Sequence, residues 1–133
     1  MVALEQVAEI ASSLPETTEG ERHNHRTWFV AGKAFAWHRP FSKADIKRYG
    51  NVEPPQGDIV AVSVADLHEK EAVLAAGHEG VFTIPHFDGY AAVLIELRRV
   101  RKPVIRELLT DAWLASAPPA VVDGFVSSRR RTR

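Results

Sequence analysis

The stretch from Phe82 to Leu97 constrains the fold more than any other part of the chain. It sets a proline, a histidine, an aspartate and a glycine between two β-prone apolar runs. Proline has no N–H to give to a sheet ladder, so Pro85 marks the edge or the end of a strand. Asp88-Gly89 is a tight-turn pair, because glycine takes positive φ without steric cost. The run from Tyr90 to Leu97 then reads as a buried strand. His86 and Asp88 are thereby placed at a corner between strands, held firmly yet in reach of solvent. At that corner Gly89 is expected at positive φ, and Asp88 is expected to accept a hydrogen bond from a backbone N–H of its own turn.

Elsewhere the chain alternates helical and extended patterns. Leu4, Val7, Ala8, Ala11 and Leu14 recur at helical spacing, and Pro15 ends that helix. Residues 24–30 and 34–38 read as a hairpin around Ala31-Gly32-Lys33. If Val30 pairs with Ala34, then Thr27, Phe29, Phe35 and Trp37 share one face. Arg26, Trp28, Ala36 and His38 share the other. The first, more aromatic face is expected to pack against the first and last helices, which leaves Trp28 as a second-face or exposed ring. Ser42 and Asp45 suggest a cap for a short helix ending near Gly50, and a loop follows over 51–57. Ile59 to Val64 suits a well-buried strand. Asp66 with Glu69 caps the next helix, Gly77 stops it, and short strands follow at about 81–84 and 90–97. Pro103 opens the last long helix, whose stripe is Val104, Ile105, Leu108, Leu109, Ala112 and Trp113. Val121, Val122, Phe125 and Val126 add one more short helix.

This order predicts an α+β domain with a mainly antiparallel sheet of about five strands, flanked by N- and C-terminal helices on one face. One domain is expected over residues 1–126, followed by a basic, mobile tail over 127–133. With no cysteine among 133 residues, disulfides, thiolate metal sites and a cysteine nucleophile are excluded. No run of about 18 apolar residues is present, so no membrane span is expected. The N-terminal segment, with Glu5 and Glu9, is unlike a signal peptide, which points to a cytoplasmic protein.

The formal net charge of zero hides an asymmetry. Residues 1–97 hold 8 Lys/Arg against 14 Asp/Glu, whereas residues 98–133 hold 9 against 3. Arg98, Arg99, Arg101, Lys102 and Arg106 crowd the start of the Pro103 helix, where no acidic residue precedes Glu107. Helix N-termini are already positive, so this cluster opposes the dipole and favours an external anion such as a phosphate backbone. Arg39, Lys43, Lys47 and Arg48 form a second basic set near i, i+4 spacing. Trp28, if exposed, would supply a stacking ring.

Several segments together resemble the MmcQ/YjbR family. They are Ser13 to Glu16, Phe29 to Ala36, Val62 to Ala72, His86 to Tyr90 and Asp111 to Trp113, in this order and spacing. The resemblance covers most of residues 3–125. It implies a frataxin-like, double-wing α+β fold and a DNA-binding role, the latter by fold analogy. The insert from Arg39 to Gly57 and the arginine-rich tail are not carried by it.

His23 and His25 would share a strand face, but the pairing above turns His38 away from them. No HExxH or Cys/His ligand pair occurs, so no metal is expected. Iron binding of the frataxin kind needs an acidic ridge on the first helix, and Glu5 and Glu9 are too sparse for it. His86 and Asp88 could form an acid–base pair, yet no clear nucleophile accompanies them. The glycines form no phosphate-cradling loop, and no cofactor is expected. Three readings stay open: a DNA-binding module; a protein-interaction domain, as a homodimer pairing the two charge halves; and a small-molecule-binding protein or enzyme at the His86/Asp88 corner. A deep pocket next to His86 would favour the third.

Overall fold

The computed structural model describes residues 1–131. The order of elements is α1 (Leu4–Ser12), β1 (Thr17–Arg22), β2 (His25–Val30), β3 (Lys33–His38), α2 (Lys43–Arg48), β4 (Ile59–Ser63), α3 (Leu67–Ala75), β5 (Val81–Phe82), a 3₁₀ turn (Pro85–Phe87), β6 (Ala92–Glu96), α4 (Lys102–Ser116) and α5 (Pro119–Arg131). The fold is α+β. All neighbouring strands are antiparallel, in the order β1-β2-β3-β4-β6-β5. The sheet has six strands rather than five. The addition is β1, Thr-Thr-Glu-Gly-Glu-Arg, which carries no apolar residue and gives no alternation to read. It forms the edge of the sheet, where one face and one side meet water, and it is held by pairing with β2. α5 continues through Arg131, past the boundary expected at residue 126. No helix among the described residues is long and apolar enough to cross a membrane.

The central strands are covered on both faces, which explains their continuous apolar character. Val60 and Val62 of β4 and Val93 and Ile95 of β6 join one core cluster with Val7 and Ala11 of α1 and Ile105, Leu109 and Trp113 of α4. Both terminal helices therefore pack on the same face, as the two apolar stripes require. α5 adds to that side, with the Phe125 ring tilted by 59° against Trp113 at 4.9 Å between centroids. Ile59, Ala61, Ala92 and Leu94 point the other way into a second, smaller cluster, against Phe87, Trp37, Phe41 and Tyr49. The insert from Arg39 to Gly57 and the Pro85 turn build this second cover.

The β2–β3 hairpin departs from the expected facing. Ala31 and Gly32 form a two-residue turn with φ of 49° and 78°, so Val30 pairs with Lys33. A bulge follows, and Phe29 pairs with Ala34 while Trp28 pairs with Ala36. Phe35 is the extra residue. A bulged residue breaks the alternation and re-aims its side chain, and Phe35 joins the same cluster as Ala36. Phe35 is buried against the helices as expected, but Phe29 and Trp37 are not. The helix-side face carries Trp28, Val30, Phe35 and Ala36, while Trp37 packs on the second cluster. Trp28 is fully buried, which removes it as a stacking ring. The facing expectation failed because each face carries a large ring, and alternation alone does not rank them.

α2 is held by an acid that the sequence only hinted at. Ser42 Oγ accepts from the Asp45 N–H at 3.1 Å, and Asp45 Oδ2 accepts from the Ser42 N–H at 2.9 Å. Asp45 is buried and also receives Arg39 Nη1 at 2.9 Å and Arg48 Nη1 at 3.5 Å. Burial alone would push its carboxyl up. The Ser42 N–H and the Arg39 guanidinium outweigh that and hold it below the usual aspartate range.

Two outcomes follow. Phe35→Ala should destabilise the domain by about 3–5 kcal/mol in urea unfolding, the range for emptying a fully buried aromatic site. Asp45→Ala should cost about 2–4 kcal/mol at neutral pH, through a lost cap and an arginine left unpaired. Because the Asp45 pKa is lowered in the fold, its contribution is present above the ordinary aspartate range and is lost as pH falls through the folded value. The gap between wild type and Asp45→Ala should therefore narrow in urea titrations carried well below pH ~4.

Candidate functional site

The corner expected between the last two strands is present, though its fastening differs. The Phe87 N–H donates to Ile84 O at 2.9 Å, Asp88 N–H to Pro85 O at 3.0 Å and Tyr90 N–H to Phe87 O at 3.0 Å. Gly89 has a φ of 76°, as its turn position demands. The Asp88 carboxylate, however, accepts no hydrogen bond from the described residues, so it does not cap the turn; it lies exposed, as does His86. No hydrogen bond or ion pair joins His86 to Asp88, and the acid–base pair is not assembled.

The fastening comes instead from Lys70 on α3. This side chain is only 6% exposed. Its Nζ donates to Phe87 O at 2.6 Å and Tyr90 O at 2.9 Å, closing the corner from beneath. No carboxylate among the described residues lies within ion-pairing distance of it. Carbonyl oxygens can satisfy a buried amine this way, whereas an unpartnered one would be costly. Sequence reasoning missed Lys70 because it sits in Leu-His-Glu-Lys-Glu, a run that reads as a solvated helix face.

The basic helix start is also present, in divided form. Arg98, Arg101, Lys102 and Arg106 are exposed and make no ion pair among the described residues. The first turn of α4 has no acidic residue, and Arg101 at the cap position gives no side-chain cap. Arg99 differs, with Nε 3.6 Å from Glu79 and Nη1 3.9 Å from the buried Glu96. The second basic set splits as well. Arg39 and Arg48 are engaged with Asp45, which leaves Lys43 and Lys47 exposed and unpaired. Between α2 and the Arg98-Arg99 segment lies a cleft of about 420 Å³ that also holds Glu53 and Glu96. Acid therefore stands between the two basic sets. Arg129, Arg130 and Arg131 fall at the end of α5, and Arg133 lies outside the described residues.

Trp28 belongs to an ionic network on the helix side. Its Nε1 donates to Glu19 Oε1 at 3.1 Å, and the Arg26 guanidinium lies over its ring at 5.5 Å. Arg26 bridges Glu19 of β1 and Glu5 of α1, at 3.0 and 2.6 Å. Hydrogen bonding to Arg26 holds the Glu19 carboxyl below its usual range. Of the histidines, the His25 and His38 rings meet edge-on at 6.3 Å, and His38 Nε2 lies 3.1 Å from Asp58. Among the described residues no group of three or more His, Asp or Glu is arranged to hold a metal ion.

Comparison with known proteins agrees with the segments noted in the sequence. A protein of Mycobacterium tuberculosis, described as uncharacterized, is 42% identical over 131 residues, covering 96% of this chain and 98% of its own length. An uncharacterized protein of Mycobacterium bovis matches with the same identity and coverage. No solved structure matches. The family model described as YjbR matches residues 12–115, from the end of α1 to the last turn of α4. That span contains the whole sheet, the Lys70 fastening and the basic start of α4, and the chain belongs to the YjbR family.

Proposed function

We propose that this YjbR-family protein is a non-catalytic DNA-binding module that contacts phosphate backbone through the start of α4. The observation that carries this reading is the set of four exposed cations, Arg98, Arg101, Lys102 and Arg106, with no carboxylate among the described residues paired to any of them. Unpaired cations at a helix N-terminus add to the partial positive charge of its free N–H groups. Phosphate oxygens satisfy both at once. Lys43 and Lys47 extend the charge only weakly, because Glu53 and Glu96 lie between. Arg99, engaged by Glu79 and Glu96, is a supporting residue rather than a contact. A net charge of zero sets the strength, since long-range attraction is small.

Fluorescence anisotropy with a short DNA duplex tests the reading. The intact chain should bind in the roughly 10⁻⁴–10⁻⁶ M range of non-specific association, and the affinity should fall steeply as salt rises. Arg98→Ala, Arg101→Ala and Lys102→Ala should each lower the log–log salt slope by about one, whereas Arg99→Ala should change it little. Undetectable binding at low salt would end the DNA reading. Binding lost only in a chain cut after Ser128 would move the contact to the terminal arginines.

A further inference from the structure

We propose that a groove on the face of β1–β3 opposite the helices is a binding site for a small aromatic anion, one bearing a carboxylate or a phosphate ester. This site is independent of the α4 surface and shares no residue with it. The groove has a volume of about 340 Å³, within the ordinary range of small-molecule sites. Thr27 and Trp37, paired across β2 and β3, form its floor. Arg22 and His23, at the end of β1 and its turn, form one rim. Arg39, His86 and Tyr90 form the other, so the corner fastened by Lys70 is a wall of this groove.

Two features point to an anion. The lining holds two arginines and two histidines and no carboxylate. Arg22 is exposed and makes no ion pair among the described residues. Arg39 is only 19% exposed and is positioned by Nη1 alone, which donates to Pro40 O at 2.8 Å and Asp45 at 2.9 Å. Its remaining N–H groups find no acceptor among the described residues, and its guanidinium carbon lies over the Phe87 ring, 5.7 Å from the centroid. Asp45 serves both Arg39 and Arg48, so one positive charge in that group of three is left over. Such a preset guanidinium is suited to carboxylate or phosphate oxygens.

The aromatic part follows from Trp37 and Tyr90. Their rings lie 6.2 Å apart and tilted by 39°, with Tyr90 47% exposed. They offer an apolar wall next to the cations. Trp28 and Trp113 place their indole N–H groups on Glu19 and Pro15, but the Trp37 N–H has no acceptor among the described residues. A planar ring on this wall would reach the arginines with its acidic group and leave the indole donor available to it. The corner and the hairpin thus meet in one ligand-sized space, although His86 stands 49 positions after Trp37 in the sequence.

Chemical-shift titration of the Trp37 indole N–H in the intact chain tests this with phenyl phosphate, benzoate, benzyl alcohol and inorganic phosphate. Saturable shifts are expected with phenyl phosphate, benzoate or both, at fragment-level affinities of roughly 10⁻³ M at low salt. The probe that binds tells a phosphate ester from a carboxylate. Arg22→Ala should weaken binding roughly tenfold, the size expected for one charged hydrogen bond. Arg22→Lys should recover part of that loss, and neither should lower the thermal midpoint, since Arg22 is exposed on an edge strand. No saturable shift with either aromatic acid would overturn the proposal. So would equal binding of benzyl alcohol or inorganic phosphate, or an Arg22→Ala chain that binds as wild type does.

Discussion

The second face of this sheet depends on one buried side chain. Lys70 reaches from α3 to the carbonyls of Phe87 and Tyr90, and those two residues carry the rings that close that face. Phe87 is buried among Ile59, Ala61 and Leu94, and the Arg39 guanidinium rests on it. Tyr90 leans on Trp37 and Phe87, with centroids 6.2 and 5.5 Å away. A lysine so deeply placed without a carboxylate is costly unless its N–H groups find oxygen. The fold resolves that cost by making the corner carbonyls the acceptors, and so couples α3 to a turn 17 to 20 residues further along the chain.

The opposite face rests on ordinary helix packing, and the two faces differ in what they leave to solvent. α1, α4 and α5 cover the first cluster, and ion pairs from Arg26 to Glu5 and Glu19 close its edge. On the second face the insert from Arg39 to Gly57 covers β4 and β6 but stops short of β1. The bulge at Phe35 sends that ring to the helices and leaves Trp37 over the uncovered part. The groove beside Trp37 is therefore a direct result of register and of where the cover ends. The cations at the start of α4 lie elsewhere, which separates nucleic-acid binding from small-anion binding as physical questions.

Much of this architecture was legible in the sequence. Apolar stripes at helical spacing placed α1 and α4, and turn chemistry placed the corner, with positive φ at Gly89 as its Asp-Gly pair implies. Capping residues located α2 and α3. β1 was not legible, because a polar edge strand held by backbone pairing has no hydrophobic signature. Nor was the choice of face for Trp28 and Trp37, since a bulge changes alternation without changing composition. For the sites, sequence found the cations but not their partners. Arg99 and Arg48 looked equivalent to Arg98 and Lys47 until Glu79, Glu96 and Asp45 were seen beside them. Lys70 gave no signal, because a lysine between two glutamates is read as solvated. Glycine roles were similarly uneven. A Cβ at Gly80 would come within 2.8 Å of the Val100 N, while one at Gly89 would meet nothing, so the tighter constraint lay outside the obvious turn.

Lys70 holds the corner and thereby the wall of the groove. Amide hydrogen exchange in Lys70→Met, a substitution of similar length that keeps the buried stem, tests it most directly. The Phe87, Asp88, Tyr90 and Ala92 N–H groups are all hydrogen-bonded in the corner, so each reports its opening. These amides should lose protection in the variant well beyond any change in β2, β3 and α4. Unchanged protection at the corner, or a loss spread evenly over the whole sheet, would contradict it.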